Sequence, residues 1–260
     1  MKITEEECKT ISLKKFGFSC DDIDPRIPKP LPQSLNHFIL ICGKAGTGKT
    51  SIVLNLIAKR HKIYNKRFDK IYLFSPSMAT MDDSSVFDSL PEDQKFTELD
   101  YDDLQGVLDE IEDSGEKVLF IMDDVVNDMR KDAHLERLMA KILMNRRHLC
   151  GRGGSLSVWI TTQVYNKIPP PVRKNASQLI LFNTKNKREL DCLFDEIACN
   201  LTKKEWIQLT NYTFKNKHDF MYIDTNEDAN LMYHKKFNKL KVATENDYVA
   251  EVEEGKTHGN

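Results

Sequence analysis

The segment GKAGTGKT at residues 43–50 constrains the fold of this chain more than any other part of its sequence. The apolar run FILIC (38–42) precedes it, and a stretch with apolar residues at helical spacing follows it, at Ile52, Val53, Leu56 and Ile57. Glycines let the backbone curl until successive N–H groups point at one anion, and a helix start adds unpaired N–H groups and a positive dipole end. The sequence therefore predicts a buried strand, a phosphate-binding loop and a helix in succession.

The residues of this loop predict contacts with a bound nucleotide. Lys49 is expected to reach the β- and γ-phosphates, and the hydroxyl of Thr50 is expected to bind Mg²⁺. The residues expected to surround the nucleotide are Gly43, Lys44, Ala45, Gly46, Thr47, Gly48, Lys49, Thr50 and Ser51. ATP with Mg²⁺ is the ligand that this pattern predicts.

A second motif, VLFIM (118–122) followed by Asp123 and Asp124, places carboxylates at the end of an apolar run. Ligands of open α/β sheets bind at the carboxyl ends of the strands. Asp123 is expected to hold Mg²⁺ directly or through water, and Asp124 to orient and deprotonate the attacking water. Acids after an apolar run are common, but here a further run (70–75) separates them from the glycine loop. That order indicates the P-loop ATPases with an extra strand between the two motifs, many of which carry the longer Glu at the position of Asp124.

Apolar runs alternate with helical stretches along most of the chain. The runs are 38–42, 70–75, 118–122, 157–162 and 178–182, and the helices are expected near 49–61, 100–113, 130–148 and 186–199. The runs show little polar alternation, as expected for strands covered on both faces, so they predict an α/β fold with a doubly wound, mostly parallel sheet. Thr202 and Glu205 have the spacing of a capping box, and further strands are expected at 220–224 and 231–237.

The remaining segments predict short extensions around one ATPase domain of residues 35–242. Residues 1–34 are polar and rich in proline towards their end, and we interpret them as an arm or linker. Residues 243–260 are polar and predict a flexible tail.

Composition narrows the functional classes. A formal net charge of −2 excludes a globally basic nucleic-acid binder, although basic residues concentrate near 59–70, 141–152 and 235–241. No apolar run approaches the roughly 20 residues that span a bilayer, and the acidic N-terminus lacks a signal core, so an intracellular protein without a membrane span is expected. The six cysteines form no CxxC pair, and we interpret them as reduced thiols.

Polar residues around the run SVWITT (157–162) predict contacts with the reacting phosphate. Gln163 follows this run and is expected to touch the γ-phosphate or its water; a strand-end turn in solvent is the alternative.

Arg146, Arg147 and Arg152 precede the run. A guanidinium in such a position is suited to a neighbouring subunit's phosphoryl group, whereas a contact with the preceding helix end is the structural alternative.

The order of these motifs, with IPPPVRKNASQLILF (168–182), FMYID and YHKKF after them, resembles the viral genome-packaging ATPases of the FtsK–HerA superfamily. These are the poxvirus-type enzymes that large DNA viruses share with virophages and Polinton-like elements, and the resemblance runs from about Phe38 to Phe237. It implies a P-loop NTPase of the RecA or FtsK–HerA type, with a mostly parallel central sheet flanked by helices. The catalytic residues that it implies are Lys49, Asp123, Asp124, the sensor Gln163 and the trans arginine Arg147, with Arg146, Arg152 and Arg173 as alternatives for the last role.

The same resemblance implies a motor that hydrolyses ATP to push double-stranded DNA into a preformed capsid. Its implied partners are duplex DNA without sequence preference, its own copies in a homo-oligomeric ring, and capsid or portal-vertex proteins, in the virion and in the viral factory of the infected-cell cytoplasm. Residues 59–70 or 183–188 are the candidate DNA-contacting loops. A cellular-type FtsK- or HerA-like pump or helicase, and a nucleotide-dependent assembly factor, are the alternative functions.

Overall fold

A nine-stranded sheet forms the centre of the computed structural model, which describes residues 23–58, 63–77 and 86–242. The strands are β1 Phe38–Cys42, β2 Lys70–Phe74, β3 Lys95–Phe96, β4 Lys117–Asp123, β5 Ser155–Thr162, β6 Gln178–Phe182, β7 Phe220–Asp224, β8 Tyr233–Lys235 and β9 Asn238–Lys239. The helices are α1 Lys49–Ile57, α2 Tyr101–Ile111, α3 Val126–Lys131, α4 Ala133–Asn145, α5 Pro170–Arg173, α6 Lys187–Ile197 and α7 Lys203–Thr213.

The strand order is β3-β2-β4-β5-β1-β6-β7-β8-β9, and all pairings from β3 to β6 are parallel. Strands β7, β8 and β9 continue the sheet in antiparallel pairings. The predicted α/β class with a mostly parallel sheet is therefore confirmed. The sequence missed β3, because a two-residue strand carries no periodic signal.

Hydrophobic layers cover both faces of the sheet. Along β5, Val158 and Ile160 pack into one layer and Trp159 into the other, and all three are fully buried. This two-sided burial explains why the strands read as continuous apolar runs rather than as alternating ones.

The helix expected at 130–148 is two helices, because Asp132 interrupts it. The backbone of Asp132 is extended (φ −123°, ψ 113°), and its side chain accepts a hydrogen bond from the backbone N–H of His134 at 2.7 Å. An Asp in this conformation caps the helix that follows it. The capping box predicted for Thr202 and Glu205 is present at the start of α7.

Residues 23–34 of the expected N-terminal arm pack against the α/β domain. Ile27 and Leu31 are buried in the layer that contains Trp159. The hydroxyls of Tyr64 and Tyr222 donate hydrogen bonds, both of 2.8 Å, to the carbonyls of Pro32 and Pro30. Residues 1–22 of that arm, and the tail expected at 243–260, lie outside the described residues. Within the described ranges, no helix has the length and apolar character needed to cross a bilayer.

Candidate nucleotide-binding site

The glycine loop connects β1 to α1 at the carboxyl edge of the parallel strands, where the sequence predicts it. Gly46 and Gly48 have positive φ angles, 72° and 111°, which residues with a Cβ rarely adopt. Gly43 has a different requirement, since a Cβ there would lie 2.7 Å from the Cβ of Phe182. No side chain caps α1 and its first turn holds no acid, so the helix start is suited to an anion.

Lys49 lies across its own loop. Its Nζ donates hydrogen bonds to the carbonyls of Gly43 (2.8 Å) and Lys44 (3.3 Å). The hydroxyl of Thr47 donates to the carbonyl of Lys44 at 2.8 Å. These bonds keep the ammonium at the curl of the loop, where the predicted role of Lys49 requires a positive charge.

A cavity of about 530 Å³ opens beside the loop, within the size range of ligand pockets. It is lined by Gly46, Thr47, Gly48, Lys49, Thr50, Ser51, Ile52, Asn55, Phe182, His218 and Phe220. The Nδ1–H of His218 donates a 3.0 Å hydrogen bond to the carbonyl of Thr47. Sequence reasoning missed His218, Phe182 and Phe220, because β6 and β7 bring them to the loop from distant parts of the chain.

Asp123 ends β4 on the same edge of the sheet. Asp123 pairs with Thr161 of β5, and the next residue of β5, Thr162, pairs with Cys42 at the end of β1. Asp123 therefore lies about two strand spacings, roughly 10 Å, from the start of the glycine loop. Its carboxylate is largely buried and accepts hydrogen bonds from the hydroxyls of Thr161 (2.5 Å), Ser77 (3.1 Å) and Ser75 (3.3 Å). A carboxylate among hydroxyls is the oxygen-rich donor set that Mg²⁺ prefers, so these residues fit the predicted metal.

Asp124 and Gln163 contact each other directly. Gln163 Nε2 donates a 2.6 Å hydrogen bond to Asp124 Oδ2. Asp124 has a left-handed backbone (φ 57°), and its N–H donates to the carbonyl of Thr161 at 3.2 Å. This turn directs the second acid towards the tip of β5, so the two residues predicted to handle the attacking water form one pair.

Three of the four candidate arginines lie at the amino edge of the sheet, away from the glycine loop of their own chain. Arg146 donates to the carbonyls of Asn36 (2.6 Å) and Leu143 (2.5 Å), which places it at the amino edge of the sheet. With Arg147 it lines a second cavity there, of about 620 Å³, which lacks the curled glycine loop. Exposed Arg152 precedes β5 at this edge. Arg173 is held by Glu196, with an Nε–Oε2 distance of 2.8 Å.

Buried Glu189, at the start of α6, links three segments behind the loop. Its Oε1 accepts from the backbone N–H of Tyr165 (2.7 Å) and from the thiol of Cys42 (3.4 Å), and its Oε2 accepts from the hydroxyl of Thr184 (2.6 Å). Burial, with the neighbouring Glu189, raises the pKa of Cys42 and keeps the thiol a donor. The sequence did not reveal this residue, because a lone Glu in a helix predicts a solvated position.

Comparisons with known proteins found one family model and several solved structures that are similar to this chain. The family model described as Poxvirus A32 protein matches residues 33–249. No curated protein matches the chain. Among solved structures, the genome packaging NTPase B204 from Sulfolobus turreted icosahedral virus 2, in complex with AMP, is 12% identical with a TM-score of 0.53, over 80% of this chain and 99% of its own.

Two further structures share the fold. The DNA-packaging ATPase B204 from Sulfolobus Turreted Icosahedral Virus is 14% identical with a TM-score of 0.53, over 80% of this chain and 98% of its own. The pCW3 conjugation coupling protein TcpA, in its monomer form with ATPgS, is 12% identical with a TM-score of 0.51, over 87% of this chain and 67% of its own.

Proposed function

Because the chain belongs to the Poxvirus A32 protein family, and is thus an ATPase of the viral genome-packaging type, we propose that it moves double-stranded DNA into a preformed capsid. The observation that carries the proposal is the alignment of the glycine loop and Asp123 on one sheet edge, two strands apart. The similar B204 proteins are described as a genome packaging NTPase with bound AMP and as a DNA-packaging ATPase, which supports the same class of work here.

The loop residues divide the chemistry between them. Backbone N–H groups of residues 43–50 and the ammonium of Lys49 hold the triphosphate. Thr50 and Asp123 would hold Mg²⁺, which neutralises charge on the phosphate oxygens. Asp124 accepts the proton of the attacking water, and Gln163 orients that water through the contact that it already makes with Asp124.

An arginine from a neighbouring copy completes the site in this proposal. Arg147 is exposed and lies at the amino edge of the sheet, so it serves the nucleotide of another subunit and not its own. Arg152 is the other exposed alternative. Arg146 and Arg173 are less exposed than these two, and their guanidinium groups donate hydrogen bonds within their own chain.

The proposal also covers the partners that the protein binds and the place in which it acts. Copies of the chain form a homo-oligomeric ring around duplex DNA, contact its phosphates without sequence preference, and dock on capsid or portal-vertex proteins in the virion and the viral factory.

Measuring ATP hydrolysis with and without duplex DNA across a salt series, with oligomer size followed in parallel, tests this function. We expect stimulation by DNA that weakens with salt, and a loss of about 10²-fold or more in Lys49→Ala. Vigorous hydrolysis that is indifferent to DNA would contradict translocation. Nucleotide binding without turnover in the presence of DNA would favour an assembly factor.

Mixing two inactive variants tests the trans arginine. Lys49→Ala and Arg147→Ala subunits should recover part of the activity when combined, because a Lys49→Ala subunit can supply its intact Arg147 to the intact glycine loop of an Arg147→Ala neighbour. Failure to recover activity in rings shown to contain both variants would argue against Arg147, and failure with Arg146, Arg147 and Arg152 variants alike would argue for a site completed within one chain.

A further inference from the structure

Three loops that follow or precede neighbouring strands meet at the carboxyl edge of the sheet, beside the glycine loop. They are residues 183–188, which follow β6 and include the first two residues of α6, residues 214–218 before β7, and residues 235–238, which are the turn between β8 and β9 with one strand residue on each side. Phe182 of β6 pairs with Phe220 of β7, and Met221 of β7 pairs with Lys235 of β8. Since paired strands lie about 5 Å apart, these three loops are neighbours in space.

The three loops together carry only one sign of charge. They contain seven Lys or Arg residues and no Asp or Glu: Lys185, Lys187, Arg188, Lys215, Lys217, Lys235 and Lys236. All but Lys235 are exposed. We call this set the basic edge. The chain has a net charge of −2, so a concentration of this kind reflects placement and not overall composition.

One buried acid, Asp219, offsets only two of the seven basic residues. Asp219 is only 1% exposed, and its carboxylate lies 3.2 Å from Lys236 Nζ and 3.7 Å from Lys235 Nζ. It anchors the turn of β8 and β9 to the start of β7. Five basic side chains remain beyond this anchor, on the loops 183–188 and 214–217.

An exposed aromatic ring adjoins these lysines. The ring of Tyr212 is half exposed, and the ammonium groups of Lys215 and Lys235 lie 4.9 and 5.4 Å from its centroid. Lysines held over a ring have fewer rotamers to lose when they bind an anion.

The other basic segment considered from the sequence, 59–70, is largely paired where the structure describes it. Lys70 Nζ lies 2.8 Å from Glu110 and 3.1 Å from Glu116, and Arg67 lies 3.4 Å from Asp24. These cations already have carboxylate partners, whereas the loops of the basic edge are free of acidic residues.

We propose that the basic edge is the surface on which this ATPase holds the phosphate backbone of duplex DNA. The inference rests on the proposed function and names the surface that performs it. Single-sign charge on loops fits phosphate contacts that ignore sequence. The edge also adjoins the nucleotide, because His218 in loop 214–218 hydrogen-bonds the carbonyl of Thr47. A change in the glycine loop therefore reaches the DNA surface through one side chain.

The test compares two charge-matched sets of variants. K185Q/K187Q/K215Q/K217Q removes four positive charges from the basic edge, and K185Q/K187Q and K215Q/K217Q remove two each. K141Q/K174Q removes two exposed lysines elsewhere. Binding of a fluorescent 30-base-pair duplex of mixed sequence is measured by anisotropy over a salt series, with a non-hydrolysable ATP analogue and the oligomer size recorded.

We expect the salt dependence, the slope of log K against log salt, to become shallower by about 0.9 for each lysine that contacts a phosphate in the wild type. The ratio of ATPase rates with and without duplex should fall in the same variants, while K141Q/K174Q should match the wild type. Equal slopes in the basic-edge and control variants would overturn the assignment of DNA binding to the basic edge, and would leave the proposed function standing. A shift in oligomer size with an unchanged slope would make this edge a subunit contact. Wild-type protein that hydrolyses ATP but binds no duplex at any salt would instead refute the proposed function.

Discussion

Protonation of buried His37 should make this fold sensitive to mild acid. The Nδ1–H of His37 donates to the carbonyl of Ser34 at 2.7 Å, and its Nε2 accepts from the indole N–H of Trp159 at 2.9 Å. The neutral ring is thus fully satisfied, and it is 3% exposed. Burial, with the nearby Arg146, lowers the pKa of His37 from 6.5 to about 4.

The size of this pH effect follows from the difference between the pKa of His37 in the unfolded chain, 6.5, and its pKa in the folded chain, about 4. Between pH 4 and pH 6.5 the unfolded chain holds the His37 proton and the folded chain does not, so the free energy of unfolding rises with pH in that window. Each pKa unit corresponds to about 1.4 kcal/mol, so acidification from pH 7.5 to pH 5 should cost about 2 kcal/mol through this residue. The full window corresponds to about 3 kcal/mol, a large part of an ordinary domain's stability.

Urea unfolding of wild type and His37→Gln at pH 7.5, 6 and 5 measures this contribution. The variant should be less stable at pH 7.5, but its loss of stability on acidification should be about 2 kcal/mol smaller. Tyr64→Phe is the matched control, because it removes the hydrogen bond to the carbonyl of Pro32 from the same aromatic cluster without removing a group that titrates near neutral pH. Tyr64→Phe should change the free energy of unfolding by the same amount at all three pH values. Identical pH profiles for wild type and His37→Gln would refute the reasoning.

Two further substitutions probe the loop and its support. Gly43→Ala should lower both nucleotide affinity and the free energy of unfolding, the latter by about 1–3 kcal/mol, because the new Cβ meets Phe182; calorimetric titration and urea unfolding measure this. Gly106→Ala, in open space on α2, is the control and should stabilise the fold by up to about 1 kcal/mol. Glu189→Ala should lower kcat more than it raises KM for ATP, because the backbone N–H of Tyr165, in the segment after Gln163, loses its acceptor; steady-state kinetics showing only a raised KM would contradict this.

The sequence predicted those parts of the site that are local in the chain. Strand, glycine loop and helix follow one another within about twenty residues, and the run before Asp123 is apolar because both faces of β4 are covered. Each of these signals depends on backbone conformation or burial within one short segment, so no tertiary contact had to be known.

Contacts between distant segments were not predictable in this way. His218 lies 171 residues from its partner Thr47, and it reaches the loop only because β7 returns antiparallel beside β6. The hydroxyls of Ser75 and Ser77 approach Asp123 because β2 pairs with β4. The break at Asp132 is different in kind, since an Asp before an apolar helical stretch is a capping signal that the sequence already contained.

The two edges of the sheet separate the parts of the proposed motor. The carbonyl of Arg146 bonds the N–H of Leu156, six residues along β5 from Thr162, so about 20 Å of strand lies between the arginines and the phosphate edge. No arginine side chain spans that distance, and β5 is one continuous strand that is buried along its whole length. If Arg147 or Arg152 acts on phosphate, it must therefore act on the nucleotide of another copy. In the proposed ring, each chain would gain its full site only by assembly, so we expect hydrolysis to depend on the ring and each subunit's turnover to depend on its neighbour's position.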